Sequence, residues 1–173
     1  KIDGNRFVAE ALQKKASLAI VNRINKNCAI SKQIKVKNSL NFLTKCSSIY
    51  RDNISAKVIS ITGSCGKTTL KEMMGYVLKK ISKTTYSPKS FNNKYGVPLS
   101  LFNLKQNDDF GILEVGMDKK GEIDKLTKII KPDLGVITNI SYAHSQNFNN
   151  IKQIAEAKSE IINNIKKNGS IIL

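Results

Sequence analysis

Residues 58–69 read Val-Ile-Ser-Ile-Thr-Gly-Ser-Cys-Gly-Lys-Thr-Thr, a β-branched apolar run that ends in a glycine loop and enters a helical stretch at Lys67-Thr68. Strand, glycine loop and helix in that order build a phosphate cradle. Successive backbone N–H groups face an anion at the helix N-terminus, and the helix dipole favours negative charge there. Lys67 can reach terminal phosphates, and the Thr68 hydroxyl is placed to ligate Mg²⁺. The common form of the motif puts a glycine where this chain has Ile61, so the loop is a tighter Gly-x-x-Gly-Lys-Thr variant starting at Gly63.

The remainder of the chain alternates in the same sense. A helical spacing at Phe7, Val8, Ala11 and Leu12 precedes a strand at 17–21, a polar connection, a short strand at 34–36 and a helix from Leu40 to about Arg51. The strand at 57–62 leads to a helix over 67–81, an extended piece at 84–86 and a polar loop over 87–95. A helix follows from Val97 to Leu104, with Pro98 tolerated in its first turn. Then come a buried-type strand at 110–115, a helix from Glu122 stopped by Lys131-Pro132, and a strand at 134–140. A long helix from Ile151 to Lys167 is closed by Asn168-Gly169, and a last strand starts at Ser170. The pattern predicts an α/β fold with a mostly parallel sheet flanked by helices on both faces. Ligands of such folds gather at the carboxyl ends of the strands.

Composition narrows the setting. The 173 residues, 40% of them hydrophobic, allow one well-buried α/β domain with a smaller appendage. No run approaches the ~20 apolar residues that cross a bilayer. The chain opens Lys1-Ile2-Asp3-Gly4 and stops inside Ile171-Ile172-Leu173, and both ends read as cuts through a longer protein. The formal charge of +16 suits a polyanionic partner. The basic residues are nevertheless mostly scattered lysines and aromatics make up only 6%, so a solvated lysine-rich surface outweighs a nucleic-acid-binding face. Three widely spaced cysteines, Cys28, Cys46 and Cys65, form no disulfide framework and suit a reducing cytosol.

The strand ends deliver the candidate site. The first supplies Gly63, Ser64, Cys65, Gly66, Lys67, Thr68 and Thr69; Cys65 is a small side chain in a loop that works through its backbone. The strand 110–115 brings Glu114, which could hold Mg²⁺ beside Thr68 or be an ordinary surface carboxylate. The strand 134–140 leads to His144, the only histidine, a metal ligand and proton shuttle by chemistry or simply a polar loop residue. Asn92 and Asn93 precede a helix start, a good place to touch phosphate or to make a turn. Lys158, taken alone, reads as solvent-facing.

Taken together these strings resemble the Mur ligases, the amide-forming enzymes of peptidoglycan synthesis. The resemblance is carried by residues 62–73, by Phe91 to Pro98, Leu113 to Met117, Gly121 to Ile123, Thr138 to Ile140, Ala143-His144 and Ala155 to Ile161. Lys71-Glu72-Met73 and the Asn-Asn-x-x-Gly-Val-Pro string are similar to the MurF type. Asp3 to Phe7 resembles the tail of its N-terminal domain, with Asn5 where His is usual. The resemblance implies a three-domain cytoplasmic enzyme of which this chain holds less than half. Residues 1–54 would be the end of the UDP-substrate-binding domain and 55–173 the first part of the ATP-binding domain, with the C-terminal domain absent. It also implies ATP held by Lys67 and the loop amides, one Mg²⁺ at Thr68 and Glu114, and a second at His144. Lys158 would match the family lysine that is often carbamylated. The implied reaction joins D-alanyl-D-alanine to UDP-N-acetylmuramoyl-tripeptide through an acyl phosphate, in a monomer without nucleic acid or membrane span. Sister readings are another Mur ligase or a folylpolyglutamate synthetase. A generic P-loop NTPase would need no second metal at His144, and a basic nucleic-acid-binding module rests on charge alone.

Overall fold

Parallel strand pairing organises both parts of the chain. The structure, a computed structural model, describes residues 3–142 and 147–173. It divides into two compact units, Lys1–Lys45 and Cys46–Leu173.

In the first unit, helix α1 (Val8–Gln13) leads to strand β1 (Ala19–Val21), which pairs in parallel with β2 (Gln33–Lys35) in the register Ala19↔Gln33. β1 is shorter than the 17–21 that the sequence suggests, and β2 lies one residue before the expected 34–36. Side-chain amides shape the connections around them. The buried Gln33 accepts from the Asn25 N–H at 2.8 Å and donates to its carbonyl at 2.9 Å. The Asn5 side-chain oxygen accepts from the Asn22 N–H at 3.0 Å, just past β1. Asn5 in turn donates to Asp3, which also pairs with Arg23 at 2.9 Å. Those donors hold the Asp3 carboxyl below the usual range, the Asn5 backbone N–H contributing most.

Helix α2 (Ser39–Asp52) runs into the second unit. The second unit continues with β3 (Lys57–Thr62), α3 (Lys67–Leu78), β4 (Thr84–Tyr86), α4 (Gly96–Phe102), β5 (Phe110–Glu114), α5 (Glu122–Ile130), β6 (Leu134–Ile137), α6 (Ile151–Ser159) and β7 (Ser170–Ile172). Among the described residues five parallel strands form one sheet in the order β4-β5-β3-β6-β7. Because side chains alternate along a strand, Ile59, Ile61, Ile112 and Val136 share one face. Leu70, Met74 and Leu78 of α3 cover them. The opposite face, with Val58, Leu113 and Ile137, meets Val97 and Leu101 of α4, Ile123 and Ile130 of α5, and Ile154 and Ala157 of α6.

Helix α5 shows how the packing is earned. Nine residues make a marginal helix alone, yet Ile123, Leu126, Ile129 and Ile130 recur at helical spacing and are all buried. Each contributes about 1.5–3 kcal/mol of burial. Lys131 then adopts a left-handed φ of 50°, which ends the helix ahead of Pro132 as the sequence suggests. The Arg51 guanidinium, buried at the end of α2, ties this corner together. It donates to the carbonyls of Ile130 at 2.7 Å and Ile54 at 2.9 Å, and pairs with Asp133 at 3.2 Å. Desolvation lowers its pKa against the opposing pull of Asp133.

The expected helix 151–167 is corrected. The α-helix closes at Ser159, a 3-10 turn spans Glu160–Asn164, and Ile165 is extended at ψ 136°. The Asn164 side chain reaches Asp124 and Thr127 on α5, and the Lys166 N–H bonds Pro132 O at 2.9 Å, so tertiary partners take over where the helical ladder would continue. Gly169 terminates no helix; its backbone lies against Ile165 and Asp133.

Candidate active site

The chain leaves β3 toward α3 on one face of the sheet and leaves β6 toward α6 on the other. Their adjacent carboxyl ends therefore form a switch point, where α/β folds leave a crevice for ligands. Loop 63–66 lies in that place. Gly63 (φ 148°) and Gly66 (φ 78°) occupy backbone conformations that disfavour side chains. A Cβ on Gly63 would stand 1.9 Å from Thr138 Oγ1, so the loop is pressed onto the tip of β6.

Thr138 and Asn139 hold the loop from that tip. Thr138 Oγ1 donates to Cys65 O at 2.6 Å. The Ser64 N–H donates to Asn139 O and the Cys65 N–H to Asn139 Oδ1, both at 3.0 Å. The N–H groups of Ser64 and Cys65 are thus committed within the protein. The N–H groups of Lys67, Thr68 and Thr69 precede the first helical bond, Leu70 N–H to Gly66 O, and no side chain caps them. These are the orphan donors of a helix start, open to an anion. The Lys67 ammonium folds over its own loop, donating to Gly63 O at 2.7 Å and Ser64 O at 3.4 Å.

Glu114 ends β5 on the α3 face and is 1% exposed. Its two oxygens accept from Thr68 Oγ1 at 2.8 Å and from Asn92 Nδ2 at 2.7 Å. Both donors are neutral, and among the described residues no cation pairs with this carboxylate. A buried carboxylate lacking a counter-charge, beside a hydroxyl at a phosphate cradle, fits a hard divalent cation that completes its shell with phosphate oxygens and water. Among the described residues no group of three or more His, Cys, Asp or Glu side chains could hold a metal. A cation here would therefore share its ligands with a nucleotide.

Lys158 overturns its solvent-facing reading: it lies on α6 at 2% exposure. Burial, and then the nearby positive charge of Lys67, lower its pKa to about 8. Among the described residues its ammonium has no hydrogen-bond or ion-pair partner. His144 lies outside the described residues. Asn93 makes turn contacts, its side-chain oxygen accepting from the N–H groups of Tyr95 and Gly96, both at 3.0 Å. Cys65 is exposed, and its sulfur accepts from Asn139 Nδ2 at 2.8 Å. A hollow of about 500 Å³ opens beside the loop, walled by Gly66, Thr69, Met73, Thr138 and Asn139 among others. That volume is in the range of small-ligand sites.

Residues 61–173 match the Mur ligase middle domain. The chain belongs to the Mur ligase family. Over 173 residues the chain is 38% identical to the UDP-N-acetylmuramoyl-tripeptide–D-alanyl-D-alanine ligase of Buchnera aphidicola subsp. Acyrthosiphon pisum, covering 100% of this chain and 38% of that one. Among solved structures it resembles MurF from Acinetobacter baumannii, with TM-score 0.90, 35% identity, and coverage of 100% of this chain and 38% of that one. It also resembles the MurF ligase of Thermotoga maritima in complex with ADP, with TM-score 0.85, 34% identity, and coverage of 97% and 39%. The chain thus spans well under half the length of the relatives it matches.

Several residues of the site carry no role that the sequence alone assigns. Thr138 and Asn139 stand in the sequence as part of a family-like strand-end string with no role attached, and their grip on the loop depends on β6 lying beside β3. Ser87, whose hydroxyl approaches the Glu114 N–H at 3.4 Å, comes from a loop with no periodic signal. Lys71 is fully buried on α3. In the sequence it stands in the family-like Lys71-Glu72-Met73 string with no role attached, and its four-residue offset from both Lys67 and Gly75 places it on the inner stripe of the helix.

Proposed function

We propose that this Mur ligase chain carries the ATP site of a MurF-type ligase, which adds D-alanyl-D-alanine to UDP-N-acetylmuramoyl-tripeptide in peptidoglycan synthesis. The observation that carries the reading is the buried Glu114 carboxylate, held by Thr68 of the cradle helix and by Asn92, with no cation paired to it among the described residues. The MurF relatives and the ADP complex named above support the same assignment. Residues 1–54 would belong to the domain that takes the UDP substrate, and 55–173 to the ATP-binding domain.

In this reading the N–H groups of Lys67, Thr68 and Thr69, with the Lys67 ammonium, bind ATP phosphates, and the neighbouring hollow takes the nucleoside. Thr68 and Glu114 would hold one Mg²⁺. By resemblance His144 is assigned to a second, and a carbamylated Lys158 would be able to support Mg²⁺. Held there, Mg²⁺ would supply charge neutralisation to the phosphates that Lys67 and the cradle N–H groups position. The terminal carboxylate of the tripeptide attacks the γ-phosphorus, forming an acyl phosphate as ADP leaves. The D-alanyl-D-alanine amine then attacks the carbonyl carbon, losing a proton as phosphate departs. The protein's share is positioning and charge stabilisation.

Lys158 is suited to carbamylation. An amine with pKa about 8 is neutral in a substantial fraction near physiological pH. Its lone pair adds to the carbon of CO₂, the nitrogen gives up a proton, and the resulting carbamate supplies anionic oxygens for a cation. We place the reaction in the cytoplasm. The free cysteines suit a reducing compartment, and among the described residues no helix is long and apolar enough to cross a membrane.

The test is Lys67→Ala in the full-length protein, assayed by phosphate release with UDP-N-acetylmuramoyl-tripeptide, ATP and D-alanyl-D-alanine. Turnover is expected to fall at least about a hundredfold. Unchanged turnover, or a wild-type protein that prefers a different nucleotide-sugar peptide or a folate substrate, would remove the MurF assignment.

A further inference from the structure

Lys71 is 0% exposed, an ammonium withdrawn from water one helical turn past the cradle. Burying such a charge is expensive unless it is paired and hydrogen-bonded. Its Nζ donates to the carbonyl of Lys89 and lies 3.1 Å from the carboxylate of the adjacent Glu72. The receiving peptide is itself unusual: Lys89 is a non-glycine residue at φ 47°, a conformation that persists only when its surroundings hold it.

From Lys89 the loop runs three residues to Asn92. The Asn92 N–H donates to Ser90 O, and its carbonyl accepts from the Gly116 N–H, both at 2.8 Å. Its side-chain amide then donates to Glu114 Oε1. Helix α3 therefore grips Glu114 twice: directly through Thr68 Oγ1, and through Lys71, the 89–92 loop and the Asn92 amide. We propose that Lys71 is a positioning residue that holds Asn92 on Glu114 and so sets the orientation of the carboxylate that meets the nucleotide-bound divalent cation. The inference rests on the metal role given to Glu114 above. Lys71 has no surface from which to touch substrate, so it works through the loop alone.

The test uses the full-length protein with Lys71→Met, Lys71→Arg and Glu114→Gln variants. Mn²⁺ affinity in the presence of ADP is read by electron paramagnetic resonance, ADP affinity is read in chelator, and hydrogen exchange of residues 87–93 is followed without ligand. Lys71→Met is expected to weaken Mn²⁺ binding about tenfold while changing metal-free ADP affinity less than about twofold, the usual reach of a residue that orients a metal ligand. Exchange over 87–93 should quicken, and Lys71→Arg, which retains a charged donor, should recover part of the loss. Unchanged Mn²⁺ affinity in a folded Lys71→Met protein, while Glu114→Gln is impaired, overturns the Lys71 inference and leaves the function standing. So does an equal fall in metal-free ADP affinity, which would place Lys71 in the phosphate cradle. Unchanged Mn²⁺ affinity in Glu114→Gln overturns both. Should Lys71→Met fail to fold, Lys71→Gln, a shorter neutral donor, is held to the same two measurements.

Discussion

At the scale of single residues, Glu114 and Lys158 are opposite charges both withdrawn from water, and no ion pair joins either to a described residue. Such groups cost stability and are kept where chemistry needs them. For Lys158 the cost depends on pH in a definite direction. Its pKa falls from 10.5 unfolded to about 8 folded. Below pH 8 both states hold the proton and the burial cost is full. Between about 8 and 10.5 the folded protein releases its proton first, the unfolded chain binds more, and stability rises with pH. Above that window the cost is gone. Lys158→Met should therefore stabilise the protein at pH 7 by about 1–2 kcal/mol, a shift of this size discounted for partial solvation. The gain should fade by about pH 10.5. Urea midpoints in CO₂-free buffer at both pH values measure it, and a pH-independent difference would mean that Lys158 is not charged and buried as described.

At the scale of elements, the site depends on helix ends and strand tips fixed by partners far along the chain. Glu160, just past α6, accepts from the N–H groups of Gly121 at 2.7 Å and Asp124 at 3.1 Å, capping α5 from another segment. A carboxylate at a helix N-terminus meets both the orphan donors and the dipole. Glu160→Ala should lower stability by about 1–2 kcal/mol in denaturant titration, and a midpoint unchanged within error would show that water serves the helix end as well. The strands and helices of this half were legible in the sequence because each carries its own periodicity and stops: the β-branched run at 58–62, the stripe of α5, Lys131-Pro132. The cradle was legible because a contiguous string encodes it. The end of α6 was not, since helical spacing continues to Lys167 while Asn164 and Lys166 bond to α5 and Pro132 instead. Nor was the burial of Lys158 or Lys71, because a lysine's environment is set by what the fold lays across it.

At the scale of the whole molecule, every described candidate contact lies in Cys46–Leu173. The loop, Glu114 and the Thr138-Asn139 tip come from three adjacent strands, β5-β3-β6, at the middle of the sheet. A nucleotide that bridges them adds its binding free energy to the cohesion of that unit alone. At a hundredfold excess over its dissociation constant the gain is about 2.7 kcal/mol. Mg²⁺ and ATP should therefore slow hydrogen exchange in residues 62–69, 87–93 and 110–116 and raise the unfolding midpoint of the second unit. The amides of β1 and β2, strands that among the described residues pair only with each other, should keep their rates. Lys67→Ala should abolish the nucleotide-dependent slowing while the unliganded pattern stays as it was, since among the described residues the Lys67 ammonium bonds only to carbonyls of its own loop. Protection that spread equally to 19–21 and 33–35 would show nucleotide energy reaching beyond the sheet, and the site would then have to include contacts from the first unit.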